Sequence, residues 1–248
     1  MDRFPDDWTR ALCVVAHPDD LEYGAGAAIA TWTAAGKEVS YLLVTRGEAG
    51  IDGMDPVESA RVREAEERAG AAVVGVDTVE FLDGYVDGVI EYGLPLRRDL
   101  ARAIRRSRPE LLVSINYRDT WGGRSFNMAD HRNVGRSLLD AARDAGNRWV
   151  FVDGPSDTAT DTASDTASDT TAWSGVRWVA FGGSPTPTHF VDVSGHLDRG
   201  IESLRAHAAY LDGLGGEFDP DAFLRATAST AGAEAGCTYA ANFELFEF

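Results

Sequence analysis

The stretch His17-Pro18-Asp19-Asp20 crowds an imidazole and two carboxylates into four positions directly behind an apolar run, ALCVVA. Pro18 stiffens the turn that carries them. Adjacent carboxylates hold negative charge in a dry pocket only when a cation sits between or beside them. A divalent metal does that, and it needs a further ligand from elsewhere in the chain. His131, in NMADHRNVG, offers one at a loop-to-helix junction. An aspartate and two histidines, with positions left for water, make an open catalytic metal site. The same ligand set suits ferrous iron as a facial triad. Water bound in such a site becomes acidic enough to attack at neutral pH, and the spare aspartate can take its proton. Alone, HPDD reads equally as a turn whose aspartate caps the next helix. Its pairing with ADHRNVG favours the metal.

The elements that must position these groups alternate. Strands are expected at 11–16, 38–45, 76–83 and 110–117, with helices at 24–36, 55–75, 94–109 and 131–146. Asp55-Pro56 opens the second helix, and Val57, Ala60, Val62 and Ala65 are consistent with its buried face. The third helix is amphipathic with a basic outer face. Such alternation predicts an α/β fold, a Rossmann-like and mostly parallel sheet with helices on both faces. Ligands of open sheets bind at the carboxyl ends of the strands. HPDD, TRGEAG, DGYVDG and NYRDTWGG each follow a predicted strand, so four loops converge on that rim.

Farther on, strands are expected at 149–154, 176–183 and 188–194, helices at 195–215 and 219–236, and YAANFELFEF closes the chain. Residues 156–171 repeat Ser/Thr-Asp-Thr-Ala/Thr four times and carry four aspartates without a large apolar residue. This reads as an acidic low-complexity insertion, a flexible loop within a single domain of residues 1–248. The glycines of calcium-binding repeats are absent from it. With 248 residues, 44% of them apolar, the chain can bury a core without staples. Cys13 and Cys237 are too few and too far apart for a disulfide framework or a cysteine zinc site. The net charge of −17 argues against a nucleic-acid partner. A polar N-terminus and the lack of any apolar run of about 20 residues lead us to expect a soluble, cytoplasmic protein with no membrane partner. Oligomeric state is left open.

The chain resembles the PIG-L, or LmbE-like, family of metal-dependent amino-sugar de-N-acetylases. The resemblance rests on AHPDDLEYGAGAAIA, VTRGEAG, RVREAEERAGAAVVGV, DHRNVG and SLRAHAAYL, and it spans nearly the whole chain. It implies that His17, Asp20 and His131 hold zinc and that Asp19 is the general base. It also implies a small-molecule amino-sugar substrate that yields a free amine and acetate. Many members carry a histidine three positions before the last ligand, where this chain has Met128. Methionine carries no proton, so that role passes to another residue or rests on the metal and Asp19. Asp130, deprived of that histidine, is expected to hold a water or support a neighbouring side chain.

The family binds substrate in the region of Arg46, Glu48 and Arg63, where an arginine suits a hydroxyl, carboxylate or phosphate. Arg63 reads equally as an ion pair with Glu67. Asp87 is a candidate for a sugar hydroxyl or a turn residue before Gly88. Trp121 and Arg124 border the last metal motif and are expected to shape the pocket. His189 could face the rim from its strand. His207 reads as packing by its spacing and as a site residue by the resemblance, while His196 reads as solvated or capping. GAG at 24–26 lacks the third glycine of a nucleotide fingerprint. The expectation is therefore a zinc-dependent hydrolase that removes an N-acetyl or similar acyl group. A non-catalytic carbohydrate-binding relative, kept open by Met128, and a metal-dependent esterase or deacylase are the alternatives.

Overall fold

The computed structural model describes residues 1–151, 171–215 and 218–248. All of the acidic repeat except Thr171 lies outside them. Among the described residues the strands are β1 (Asp2–Arg3), β2 (Arg10–Val15), β3 (Glu38–Leu43), β4 (Thr78–Phe81), β5 (Leu111–Ile115), β6 (Thr120–Gly122), β7 (Ser125–Phe126), β8 (Trp178–Gly182), β9 (His189–Asp192) and β10 (Ala240–Glu247). The helices are α1 (Asp20–Gly24), α2 (Gly26–Ala34), α3 (Pro56–Val73), α4 (Leu94–Ser107), α5 (Ala129–Gly146), α6 (Leu197–Arg205), α7 (Ala208–Gly213) and α8 (Pro220–Ala235).

Eight strands form one sheet in the order β1-β9-β10-β8-β5-β2-β3-β4. From β8 through β5, β2 and β3 to β4 every pairing is parallel. Only β10 runs antiparallel, between β8 and β9. Successive side chains of β2 alternate between two cores, as a strand covered on both faces requires. Cys13 and Val15 join Leu21, Ile29 and Trp32 on one face. Leu12 and Val14 join Leu100, Ile104 and Leu138 on the other. The chain runs from β2 to β3 on one side, and β5 lies on the other. The carboxyl end of β2, where HPDD begins, is therefore the switch point at which such sheets bind ligands.

Five local expectations are corrected. The helix expected over 24–36 begins earlier, at Asp20, and breaks at Ala25, so HPDD runs straight into a helical turn. The helix expected over 195–215 is two helices with His207 at the break. Trp149–Phe151 is not a strand. The carbonyls of Asn147, Val150 and Phe151 instead accept from the Arg105 guanidinium, which leaves them unavailable to a ladder. Arg105 is buried, so the basic face of α4 is not wholly an outer one. The rest of the strand expected over 149–154 lies outside the described residues.

The fifth correction bears on the site. Val57 of α3 is 80% exposed, and the buried face of that helix is Ser59, Arg63, Glu67, Gly70 and Ala71. Hydrophobic spacing pointed to the wrong side because this face is polar and packs against the HPDD turn.

Candidate active site

HPDD is held as a rigid unit. Asp20 Oδ2 accepts the backbone N–H groups of Ala16 (3.1 Å) and His17 (2.9 Å), which leaves Oδ1 to face His131 Nε2 at 3.1 Å. Asp19 makes no side-chain cap, so the helix-capping reading of the motif fails. Its backbone is left-handed, with φ 82°, a conformation costly for a residue with a Cβ. Two residues of α3 meet this turn, and a third meets the loop beside it. Arg63 Nη2 donates to Asp19 Oδ2 (2.8 Å) and to the Pro18 carbonyl (2.6 Å). Glu67 Oε2 accepts the Asp19 N–H at 3.0 Å. Ser59 Oγ donates to the Gly47 carbonyl in the neighbouring loop.

The orientation of both imidazoles follows from their outer partners. Asn127 donates through Nδ2 to the carbonyls of Asn116 (2.7 Å) and Arg118 (2.9 Å), so its Oδ1 is the atom that meets His131 Nδ1 at 2.9 Å. An amide oxygen only accepts, so His131 carries its proton on Nδ1 and turns the Nε2 lone pair toward Asp20. His17 Nε2 faces Asp87 Oδ1 at 2.9 Å and Asp130 Oδ2 at 3.2 Å. Asp130 is fixed in turn by the N–H groups of Gly88 and Ile90. That arrangement places the His17 proton on Nε2 and leaves Nδ1, 3.6 Å from Asp20 Oδ2, as the free donor.

One donor atom each from His17, Asp20 and His131 thus lies within 4.8 Å of the others. Metal-ligating histidines characteristically give their other N–H to a carboxylate or carbonyl, and both do so here. Charge points the same way. Asp19, Asp20, Asp87 and Asp130 surround the two rings, and the cation among them is Arg63. Burial alone would depress the His17 imidazole, yet its bonds to Asp130, Asp20 and Asp87 raise it well above its ordinary value. Burial would raise Asp20, but His131 and His17 hold it far below the usual carboxylate range. The residues present fit a divalent ion. Burial pushes the Asp19 carboxyl up to about 7, against the pull of Arg63.

A cavity of about 760 Å³ opens over this group and is lined by His17, Asp19, Asp20, Arg63, Asp87, Trp121 and His131 among the residues singled out from sequence. Met128 also lines it. Trp121 lies edge-on to the His131 ring, with centroids 5.7 Å apart. Arg63 is buried, and its partner is Asp19 rather than Glu67 or solvent. Asp87 serves His17, and its other oxygen accepts the Ala49 N–H.

Five candidates do not line the cavity. Arg46 pairs with Glu64 and Asp83 and lies over Phe81. Glu48 binds the Arg46 and Asp87 N–H groups, bracing one loop against the next. Arg124 is exposed at the tip of the β6–β7 hairpin, which Gly122 and Gly123 turn with positive φ. His189 bonds Thr188 Oγ at the far side of the sheet. His207 is fully buried behind the site, its Nε2 3.7 Å from Glu22 and 3.8 Å from Glu67. A Cβ at Gly70 would lie 3.1 Å from that nitrogen, so the glycine keeps room for the group. Sequence reasoning passed over Asn127 and read Glu67 only as an ion-pair partner of Arg63. Asn127 stands four residues before His131, and Ser59, Arg63 and Glu67 recur at four-residue spacing, which marks one helical stripe.

Fold and site together define a mostly parallel α/β protein that carries a His–Asp–His group suited to a divalent ion at the carboxyl ends of its strands. The chain belongs to the PIG-L family, described as GlcNAc-PI de-N-acetylase, whose pattern matches residues 12–142. It is similar to the diacetylchitobiose deacetylase of Thermococcus kodakarensis, 28% identical over 208 residues that cover 82% of this chain and 70% of that protein. It is also similar to the 1D-myo-inositol 2-acetamido-2-deoxy-α-D-glucopyranoside deacetylase of Kribbella flavida, 28% identical over 292 aligned residues, with 93% and 95% covered. In fold it is similar to the N,N'-diacetylchitobiose deacetylase from Pyrococcus horikoshii, with a TM-score of 0.79 at 22% identity over 97% of this chain and 85% of that one. No helix among the described residues is long and apolar enough to cross a membrane.

Proposed function

We propose that this chain is a zinc-dependent hydrolase that removes an N-acetyl, or similar acyl, group from a small amino-sugar substrate in the cytoplasm. The carrying observation is the orientation of the imidazoles. Asn127 fixes one and Asp87 with Asp130 fixes the other, so that Nε2 of His131, Nδ1 of His17 and Oδ1 of Asp20 are free to hold one ion. Family membership and the deacetylases named among its relatives support the same reading. Zinc fits an imidazole–carboxylate set and a reaction without redox change. When bound, the ion supplies an acidified water and polarises the acyl carbonyl.

The chain's own residues do the rest. Asp19 takes the proton of the attacking water and returns it to the leaving nitrogen. Its burial and its raised affinity for a proton suit both halves of that task. Arg63 holds the carboxylate against the turn, and Glu67 holds its backbone. Met128 offers no proton at its position, so proton transfer rests on Asp19. A base so elaborately held favours catalysis over passive sugar binding.

Acetate release from N-acetylglucosamine derivatives, compared in metal-loaded and chelated protein, tests this reading. Loaded protein should release acetate, chelated protein should not, and Asp19→Ala should lower kcat by roughly 10²–10⁴-fold. Full activity in Asp19→Ala, or no release from any derivative by loaded protein, overturns it.

A further inference from the structure

Hydrolysis of an amide passes through a tetrahedral oxyanion, and a fixed hydrogen-bond donor aimed at that oxygen lowers the barrier. Met128 supplies none. The other donors around the base are largely committed. The His17 N–H serves Asp87 and Asp130, and that of His131 serves Asn127. The terminal nitrogens of Arg63 donate to Gly47, Pro18 and Asp19. Tyr210 also lines the cavity and brings a hydroxyl to it. The Arg63 guanidinium carbon lies over the Tyr210 ring, 4.5 Å from its centroid, while Nη2 of the same arginine bonds Asp19 at 2.8 Å. One residue therefore holds the base and seats the tyrosine. The backbone is fixed as well. The Ala209 N–H donates to Glu66 of α3 at 2.6 Å, which ties the residue before Tyr210 to the helix that carries Arg63. The Tyr210 hydroxyl lies within reach of the Asp19 carboxylate. Burial and the charge of Asp19 push this phenol above its ordinary range. It keeps its proton at neutral pH and offers it as a hydrogen bond.

Resting on the deacetylase reading, we propose that Tyr210 is a catalytic residue whose O–H donates to the oxyanion of the tetrahedral intermediate, the task that Met128 cannot perform. Before reaction, the negative charge beside the hydroxyl sits on Asp19. As the water oxygen bonds the acyl carbon, its proton passes to Asp19 and the carbonyl π pair moves onto the carbonyl oxygen. That oxygen gains the charge that Asp19 loses. The Tyr210 O–H follows the charge from one oxygen to the other and keeps its own proton. On collapse the C=O bond re-forms, the C–N bond breaks, and Asp19 returns its proton to the nitrogen. The new hydrogen bond is strongest while the oxyanion exists, so it lowers the barrier rather than tightening the ground state.

Tyr210→Phe keeps the ring over Arg63 and removes only the hydroxyl. With an N-acetylglucosamine derivative that wild-type protein hydrolyses, kcat should fall by roughly 10²-fold, while KM and zinc content stay near wild type. Calorimetry with a methylphosphonamidate of glucosamine supplies a second readout, because its tetrahedral anion imitates the intermediate. Zinc-loaded Tyr210→Phe should bind it roughly 10²-fold more weakly than wild type does. A tyrosine that only supported Asp19 would leave that affinity unmoved. Wild-type kcat in Tyr210→Phe, or a lowered kcat with the analogue bound as tightly as before, overturns the proposal and leaves the deacetylase reading standing. Wild-type protein that releases no acetate from any derivative removes that reading and the role of Tyr210 with it.

Discussion

The carboxylate of Glu67 receives the backbone N–H of Asp19 at 3.0 Å, so a side chain in the middle of α3 anchors the left-handed residue proposed as the general base. A strained conformation persists only where its surroundings over-determine it. Here Glu67 grips the amide, Arg63 grips the carboxylate, and both stand on one face of one helix. Burial and the nearby Glu22 raise the Glu67 carboxyl well above its usual range, which shows how dry that anchor is.

Loss of the anchor should appear in turnover rather than in metal content. Glu67→Ala is expected to lower kcat by about 10–100-fold, the range found for outer partners of metal sites. KM and zinc stoichiometry should stay near wild type. Glu67→Gln, which keeps an acceptor for the Asp19 amide, should recover much of the loss. Steady-state kinetics with elemental analysis decide it. Equal damage from Ala and Gln would show that charge, not the hydrogen bond, is what Asp19 needs.

Asn127 should control metal affinity through the His131 tautomer. Removing its amide in Asn127→Ala frees the ring to carry its proton on either nitrogen. Zinc affinity should fall by about 10–100-fold. Competition with a chromophoric chelator measures this, and unchanged affinity would contradict the assignment of the Nδ1 proton.

Acid stability should depend on Glu244, which ties β10 to the loop before the β6–β7 hairpin. Burial would raise this carboxyl, but hydrogen bonds from Arg118 and from Ser184 Oγ (2.6 Å) hold it below the usual range. A depressed folded-state value means that the contribution is fully present above the unfolded value of about 4.3 and fades as pH falls toward the folded one. Wild-type Tm should therefore drop more steeply than that of Glu244→Gln between pH 5 and roughly pH 3. Parallel melting curves would contradict it.

The parts of the site that were legible in the sequence are those written contiguously. HPDD behind an apolar run and ADHRNVG ahead of a helix announce themselves, because ligand geometry needs a strand end and a helix start. The sheet was legible for a similar reason, since buried parallel strands read as unbroken apolar runs. Element boundaries were less so. The break at Ala25 and the break at His207 lie inside sequences that satisfy helical patterning throughout, and at the second the buried His207 ring lies beside Glu22 and Glu67. The face of α3 misled for a physical reason. Hydrophobicity identifies what avoids water, but Arg63 and Glu67 are buried because they hold the HPDD turn, and Ser59 because it bonds the neighbouring loop at Gly47. Distances between loops were not legible at all. Arg46 and Glu48 sit on the right loop but turn toward Glu64 and the Asp87 backbone. Arg124 lies three residues from Trp121, yet a two-residue hairpin turn carries it away from the cavity.

The central claim is that His17, Asp20 and His131 bind one ion together and that Asp19 beside them does not. Elemental analysis of purified, zinc-reloaded protein measures this directly, with His17→Ala, Asp20→Ala, His131→Ala and Asp19→Asn run alongside the wild type. About one zinc per chain is expected in the wild type and in Asp19→Asn, and close to none in the other three. Full zinc occupancy in His131→Ala, or none in the wild type, would contradict the account.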